Sequence, residues 1–272
     1  MANYMGDNKN PSLKRIMAEI NKKAGENILG FVTDMPNLAI QRISTGVPVL
    51  DVKLGGGLPR GRIIELYGQP SAGKSLISLL TIREAQKQGL ECVYLDCEDS
   101  FDAEWAKGLG VDTDKLILGQ SSVGEDTLEL LIKLLAGNPG IIVVDSVAAM
   151  VSRAEMEEDI DKAFMAIKAR LMSKALRMIL PQVQDTIIIF INQLRATLTM
   201  YGPQFTTPGG NALKYASSIR IEVKKTEDIH LEDKKTKEII GQVVGFKVTK
   251  NKTATPQQTG SFRFFYADSR TE

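Results

Sequence analysis

The residues with the clearest chemical potential lie between Gly68 and Ser75, where the chain reads GQPSAGKS. This spacing is typical of a glycine-rich loop whose backbone N–H groups surround phosphate, with Lys74 directed to the β- and γ-phosphates and the Ser75 hydroxyl to Mg²⁺. The apolar run before it predicts a buried strand, and the periodic segment after it predicts a helix that ends near Gly89. A strand, a loop and a helix N-terminus in this order form an anion site. We therefore predict a nucleotide site made of Gly68, Gln69, Pro70, Ser71, Ala72, Gly73, Lys74 and Ser75.

A second candidate is Asp145, which ends the apolar run in GIIVVDS. Its position predicts a carboxylate at the carboxyl end of a buried strand, where α/β proteins bind ligands. We predict that Asp145 holds the water shell of Mg²⁺ together with Ser75, and that Ser146 assists. The alternative is an aspartate that only caps the end of the strand.

Hydrolysis of a nucleotide also requires a group that orients or deprotonates water. The segment YLDCEDSFD places several carboxylates just past another predicted strand. Glu98 is the preferred general base, because a strand that ends beside the phosphate loop would direct this carboxylate at the γ-phosphate. Spacing alone does not separate Glu98 from Asp96.

Composition excludes several classes of protein. The 272 residues are 43% hydrophobic with a formal net charge of +1, so the chain can bury a large core and any nucleic-acid site must be local. No apolar run is long enough for a membrane span and the N-terminus lacks a signal-peptide core, which predicts a cytoplasmic protein. The two cysteines, Cys92 and Cys97, are expected on opposite faces of one strand, and the only histidine, His230, in a solvated loop. A His/Cys metal site and a Ser-His-Asp triad are therefore excluded.

The pattern after Arg62 alternates strands and helices, which predicts an α/β fold with a mostly parallel twisted sheet flanked by helices. After Ser217 period-2 strands follow one another without helices, and we expect antiparallel strands at one sheet edge. An amphipathic helix over Pro11–Lys23 precedes this core. Other predicted elements are a helix over about Lys162–Leu180 and strands in IIELY, CVYLD, LILGQ, GIIVVDS and TIIIFINQ.

An irregular segment follows the strand that ends in Asn192 and Gln193. About fifteen residues lack helical or strand periodicity, and Gly209–Gly210 then opens a short helix. Long loops of this kind are usually functional, and unstacked nucleic-acid bases or a neighbouring subunit would cover their apolar side chains. The alternative is a loop that folds back on its own core. The candidate nucleic-acid contacts are Arg195, Met200, Tyr201, Phe205, Gly209, Gly210 and Asn211, with Arg170 and Arg177 from a basic helix face that is otherwise simply solvated.

Six motifs occur together in one order along the chain. They resemble those of the bacterial RecA recombinases over roughly residues 11–266. This resemblance implies ATP and Mg²⁺ as cofactors and a DNA-dependent ATPase core of the RecA type. It further implies a homo-oligomeric helical filament on single-stranded DNA that pairs with homologous double-stranded DNA and exchanges strands in recombinational repair. The motifs are ISTGVPVLDVKLGGGLPRGRIIELYGQPSAGKS, DCEDSFDAEWAKGLGVD, IIVVDSVAAM, IFINQLR, TPGGNALKY and VTKNKTATP.

The resemblance also assigns roles to single residues. Glu98 corresponds to the catalytic base, and Gln193 to the γ-phosphate sensor at the root of the second DNA-binding loop. Residues 152–162 resemble the first such loop. Further positions correspond to the adenine contacts Asp102 and Trp105, to the cross-subunit ATP contacts Lys250 and Lys252, and to an interface aromatic, Tyr215.

The resemblance divides the chain into residues 1–34, a helix and strand for subunit docking, residues 35–268, the ATPase core, and a tail over 269–272. The sequence departs from the family in three ways. Trp105 stands where a tyrosine is usual, Pro70 replaces an acidic residue without an evident effect, and the C-terminal domain of the family is expected to be absent. A naturally compact, phage-encoded member or a truncated chain would account for the last difference.

Two rival classes share much of this pattern. One is a ring-forming helicase-like ATPase of related fold, which would assemble as a closed ring. The other is a paralogue or mediator that uses ATP only as a conformational ligand. Glu98 beside an intact phosphate loop argues against the second, and DNA-stimulated ATP turnover separates it from an active recombinase.

Overall fold

The computed structural model describes residues 11–34, 40–157, 165–196, 205–231, 238–267 and 269–271. The chain divides into two compact units, Met1–Ile40 and Gln41–Glu272. The described helices are α1 (Pro11–Ala24), α2 (Pro48–Leu54), α3 (Lys74–Lys87), α4 (Ala103–Gly108), α5 (Gly124–Leu134), α6 (Arg153–Glu157), α7 (Met165–Ile179) and α8 (Asn211–Ala216). Short 3₁₀ turns lie at Val32–Asp34, Leu135–Gly137 and Leu180–Gln182.

The first unit contains the predicted N-terminal helix. α1 ends where Gly25, at φ 76°, donates its N–H to the carbonyl of Asn21. Apolar side chains along α1 remain exposed, among them Leu13 and Ile16. The strand expected within residues 1–34 is absent from described residues 11–34, which form α1 and a 3₁₀ turn instead. A strand for subunit docking would pair with a neighbouring subunit, so this part of the domain assignment stays a prediction.

A twisted sheet forms the centre of the second unit. Within the described residues it has nine strands in the order β13-β12-β11-β10-β3-β7-β6-β4-β5. The section from β10 to β5 is parallel, whereas β11, β12 and β13 add antiparallel strands at one edge. These strands are β3 (Ile63–Gly68), β4 (Cys92–Asp96), β5 (Leu116–Gln120), β6 (Ile141–Asp145), β7 (Ile187–Gln193), β10 (Ile219–His230), β11 (Ile239–Asn251), β12 (Gln258–Phe265) and β13 (Arg270–Thr271). The predicted fold class is confirmed.

Two apolar clusters cover the two faces of this sheet. Alternate residues of β3, β4, β6 and β7 belong to opposite clusters, because successive side chains of a strand point to opposite faces. α2 and α3 pack in the first cluster, and α5 and α7 in the second. Cys92 lies in the first cluster and Cys97 in the second, and both are free thiols, as the sequence predicted. The central parallel strands therefore present their carboxyl ends from a covered layer, whereas the edge strand β5 is largely exposed.

Two local expectations need correction. His230 is exposed as predicted, but it is the last residue of β10 and not a loop residue. The irregular segment after Gln193 is paired at its two ends, where β8 (Arg195–Ala196) lies antiparallel to β9 (Phe205–Thr206). A similar short pair joins β1 (Arg42–Ile43) to β2 (Leu58–Pro59). Two-residue strands are too short for any sequence periodicity to predict them.

The predicted long helix is α7, described from Met165. Its expected start at Lys162 lies outside the described residues. It ends at Ile179, and Pro181 stands in the following 3₁₀ turn, because proline cannot donate an N–H to continue an α-helix. Within the described residues no helix combines the length and apolar character that a bilayer crossing requires.

Candidate functional site

The phosphate loop connects β3 to α3 at the carboxyl edge of the sheet. A Cβ on Gly68 would lie 1.9 Å from the carbonyl oxygen of Val223 on the neighbouring strand β10, so only glycine fits there. Gly73 has φ 100° and Ser71 has φ 55°, which places two residues of the loop in the left-handed region. The backbone therefore curls around the N-terminus of α3. This curl is the cradle that a phosphate group requires.

Lys74 lies at the first turn of α3 and is buried, with its ammonium turned back to its own loop. Its Nζ donates to the carbonyls of Gln69 at 2.7 Å and Gly68 at 3.4 Å. Burial lowers the pKa of Lys74, and the nearby carboxylates of Asp145 and Glu98 oppose this shift. A desolvated cation with only carbonyl partners gains strongly from a phosphate, because the anion replaces the lost hydration.

Asp145 meets the phosphate loop as the sequence predicted. Its Oδ2 accepts hydrogen bonds from Ser75 Oγ at 2.7 Å and from Tyr94 Oη at 2.6 Å. Burial raises the pKa of Asp145 in spite of these donors. The sequence analysis did not identify Tyr94. Its side chain reaches Asp145 from the neighbouring strand β4, and no local motif predicts which strands pair.

The donor set formed by Ser75 and Asp145 fits Mg²⁺. Magnesium is commonly held by one or two carboxylates or hydroxyls, with phosphate oxygens and water completing its octahedron. A buried carboxylate whose charged form is disfavoured by desolvation is stabilised by a dication. The described residues contain no cluster of three or more His, Cys, Asp or Glu side chains that would form an all-protein metal cage. Ser75 and Asp145 therefore suit a metal shared with a bound triphosphate.

Replacing Asp145 with asparagine is expected to raise the melting temperature of the nucleotide-free protein. The amide oxygen can still accept from Ser75 and Tyr94, but the cost of burying a charge disappears. Because the pKa of Asp145 is raised in the folded protein, this cost begins as the pH rises above the ordinary aspartate pKa and is complete above the raised value. The gain should therefore be present at neutral pH and vanish below the ordinary aspartate pKa. Thermal unfolding across pH measures it, and an equal gain at all pH values would contradict the assignment.

Glu98 lies between the phosphate loop and the root of the irregular segment. Its Oε1 accepts from Ser146 Oγ and from Gln193 Nε2, the latter at 2.9 Å. Glu98 thus contacts the residue after the metal-site aspartate on one side and the last residue of β7 on the other. The carboxylate is held in place by two donors to Oε1, and no described residue donates to its Oε2, which can accept from a water molecule.

Asp96, the other candidate for the general base, holds the backbone of the turn after β4. It is buried, and it accepts backbone N–H groups from Glu98 at 3.0 Å, Ser100 at 2.9 Å and Phe101 at 2.9 Å. These three bonds use both carboxylate oxygens to fix the turn after β4. Asp96 therefore positions the loop that carries Glu98, and the geometry favours Glu98 as the base.

An aromatic pocket of about 370 Å³ adjoins the phosphate loop. Trp105 lines it from α4, Gln242 lines it from β11, and Tyr266 lines it from the turn just after β12. Trp105 and Tyr266 both pack edge-on against the ring of Phe264. Asp102 caps α4 by accepting the N–H of Trp105 at 3.0 Å. The sequence analysis did not predict Tyr266 as a site residue, because Tyr266 lies near the end of the chain, far in sequence from the phosphate loop.

Replacing Tyr266 with alanine is expected to weaken nucleotide binding by about tenfold, since stacking on an aromatic ring is worth ~1–3 kcal/mol per base. Trp105→Ala should act in the same direction. Ile117→Ala, which removes an exposed apolar side chain of β5 outside this pocket, is the control. Titration with a fluorescent ATP analogue measures the effect. An unchanged affinity in Tyr266→Ala would remove this residue from the base site.

A buried polar network lies directly behind Gln193. Glu65, fully buried in β3, accepts from Arg220 Nε at 2.5 Å and from Asn192 Nδ2 at 3.1 Å. Asn192 Nδ2 also donates to the carbonyl of Pro208 at 3.1 Å. The exit of the irregular segment is therefore tied to the strand that carries Gln193. A buried pair of this kind costs ~3–5 kcal/mol to break from one side, so it fixes this end of the segment firmly.

The other predicted contacts lie on either side of this network. Lys250 Nζ donates to the carbonyls of Lys214 at 2.7 Å and Tyr215 at 3.1 Å, at the end of α8. The Lys252 side chain is exposed, as is Tyr215. None of these side chains touches the phosphate loop of its own chain among the described contacts. Their predicted role, a contact with a neighbouring subunit, stays a prediction.

The candidate nucleic-acid residues are only partly brought together. Arg170 and Arg177 are exposed on α7, and Phe205 is half-exposed on β9. Gly209 and Gly210 have φ 87° and 72°, and a Cβ on Gly210 would lie 2.9 Å from Ala169 of α7. Asn211 begins α8 just after them. Met200 and Tyr201 lie outside the described residues.

Taken together, the parallel sheet, the phosphate loop at its carboxyl edge and the metal-site aspartate define a P-loop nucleotide-binding α/β protein. The family model of the RecA N-terminal domain matches residues 11–270. The chain belongs to this family, as its motifs predicted.

Curated relatives agree with this membership. Protein RecA of Pseudomonas fluorescens strain Pf0-1 is 40% identical over 267 residues, which are 96% of this chain and 75% of that protein. Protein RecA of Acinetobacter baylyi is also 40% identical, with 96% of this chain and 75% of that protein covered. A crystal structure of the RadB recombinase superposes with a TM-score of 0.63 at 20% identity, covering 84% of this chain and 97% of that one. At this identity the superposition shows a shared fold.

Proposed function

We propose that the protein is a DNA-dependent ATPase and recombinase that forms a filament on single-stranded DNA, pairs it with homologous duplex and promotes strand exchange. The observation that carries the proposal is the hydrogen bond from Gln193 Nε2 to Glu98 Oε1. It joins the group suited to activate water with the strand end from which the irregular segment leaves. An ATPase without a coupled partner has no need of this link.

Hydrolysis uses residues of the phosphate loop and of two strand ends. Lys74 exchanges its carbonyl partners for the β- and γ-phosphate oxygens and neutralises their charge. Ser75 and Asp145 would hold Mg²⁺, which would supply further positive charge at the phosphates. Glu98 orients the attacking water and accepts its proton, while the Ser146 hydroxyl keeps the carboxylate in place.

Coupling to DNA passes through Gln193. Its amide donates to Glu98 here, and the same N–H group can donate to a γ-phosphate oxygen instead. Such an exchange moves the residue that begins the irregular segment, while Asn192 holds the backbone beside it. Nucleotide and DNA then bias one equilibrium, and each must tighten the binding of the other by the same factor.

Assembly into a filament would account for the remaining exposed residues that the resemblance assigns to subunit contacts. Lys250 and Lys252 would reach the nucleotide of a neighbouring subunit, and the exposed apolar side chains of α1 and the exposed Tyr215 would be covered by that neighbour. A location in the cytoplasm belongs to the same proposal.

The test is ATP turnover of the purified protein with and without single-stranded DNA, combined with electron microscopy in the presence of a non-hydrolysable ATP analogue. The proposal predicts turnover that rises with DNA and helical filaments on it. Closed rings would favour the helicase-like alternative. ATP binding without DNA-stimulated turnover would favour the paralogue that uses ATP as a conformational ligand.

A further inference from the structure

Two cationic side chains converge on one carbonyl oxygen beside the irregular segment. Lys168 Nζ, from α7, donates to the carbonyl of Ala148 at 3.2 Å, and an Arg195 Nη, from β8, donates to the same oxygen at 3.5 Å. Ala148 lies just after β6, on the way to the first of the two predicted DNA-binding segments. Lys168 belongs to none of the motifs that predicted the site.

The described residues offer this pair little compensating negative charge. Neither Lys168 nor Arg195 forms an ion pair with them, and Glu155 acts on Lys168 only through space. Burial lowers the pKa of Lys168, and the charge of Arg195 lowers it further. An ammonium and a guanidinium together carry about eight N–H donors. A single neutral carbonyl uses little of this donor capacity.

The position of the pair selects its ligand. Arg195 stands at the entrance of the irregular segment, and Gly210, at its exit, packs against Ala169, the residue next to Lys168. The first segment leaves from the same place, because Ala148 precedes it by a few residues. Since both nitrogens reach one oxygen, a single phosphate group placed there can accept from both. A phosphodiester has the required charge and geometry.

We propose that Lys168 and Arg195 form a two-armed binding site for one phosphate of a single-stranded DNA backbone. The proposal rests on the DNA-binding function proposed above and adds Lys168 to it. In the free protein the Ala148 carbonyl holds the two cations in register. On binding, the phosphate takes over these donors, and the affinity gains a contact that depends on salt but not on base sequence.

The experiment compares wild type, Lys168→Met, Lys168→Arg and the control Lys87→Met, which changes an exposed lysine of α3. Fluorescence anisotropy of a labelled oligothymidylate is measured over a series of salt concentrations, and thermal unfolding is recorded for each variant. Methionine keeps the aliphatic length of lysine and removes its charge. Lys168→Met is expected to bind about tenfold more weakly. Its slope of log affinity against log salt should be smaller by about 0.7, the value for one phosphate contact on a single strand.

Lys168→Arg and Lys87→Met are expected to retain the wild-type slope. An unchanged slope in Lys168→Met would overturn the inference, and if its melting temperature fell as well, Lys168 would be only a structural support for Ala148. Absence of oligothymidylate binding by wild type would overturn the proposed function and this inference together. The two failures are therefore distinguishable.

Discussion

Replacing Glu98 with glutamine is expected to slow ATP turnover by about 10²-fold or more, the range for loss of a general base, while ATP binding persists. Glutamine keeps an oxygen that can accept from Ser146 and Gln193, so the local hydrogen bonds survive. It cannot accept the proton of the attacking water. Single-turnover hydrolysis and equilibrium nucleotide binding, measured side by side, separate the two effects.

The matched control for this change is Glu104→Gln, which alters an exposed carboxylate of α4 that pairs with Lys107 at 3.2 Å. It should turn over ATP at the wild-type rate. Wild-type turnover in Glu98→Gln would sink the assignment of the base. The geometry offers no substitute in Asp96, whose oxygens are occupied by three backbone N–H groups.

Replacing Lys74 with alanine is expected to remove nearly all ATP hydrolysis and to leave the protein folded. In its described hydrogen bonds the ammonium donates only to carbonyls of its own loop, so its loss breaks no such bond between elements. Its removal also eliminates the free-energy cost of burying a charge, and that burial is what lowers the pKa of Lys74. Phosphate release from ATP measures the loss, and thermal unfolding confirms the fold.

Lys87→Ala, at the exposed end of the same helix, is the control for a change of charge on α3. It should hydrolyse ATP normally. Substantial hydrolysis by Lys74→Ala would show that the phosphate loop does not hold the triphosphate in the way described.

Local sequence patterns predicted most of the central sheet. Runs rich in Ile and Val could be assigned to strands because buried parallel strands are apolar on both faces. The glycine-rich loop and the helical periodicity after it predicted the position of α3. The run of period-2 segments predicted the antiparallel edge of the sheet. Strand order could not be predicted in the same way, because pairing between β10 and β3 joins segments separated by more than a hundred residues of chain.

In the candidate site, too, residues within local motifs were predicted and residues brought in by tertiary contacts were not. Lys74, Ser75 and Asp145 belong to motifs whose spacing encodes their chemistry, and the structure places them together. Side chains that reach the site across the sheet were missed, since no spacing records a tertiary contact. These are Tyr94 beside Asp145, Tyr266 in the aromatic pocket, the Glu65–Arg220 pair behind Asn192, and Lys168 at the Ala148 carbonyl.

Mutual enhancement between nucleotide and DNA is the central claim, and Gln193 is the residue on which it depends. The measurement is the affinity for single-stranded DNA with and without a non-hydrolysable ATP analogue, in wild type and in Gln193→Ala. The account predicts that the analogue tightens DNA binding in wild type by about 5–150-fold, the usual range for coupled sites, and leaves it unchanged in the variant, which still binds ATP. Equal enhancement in both proteins would contradict the account and place the switch at another residue.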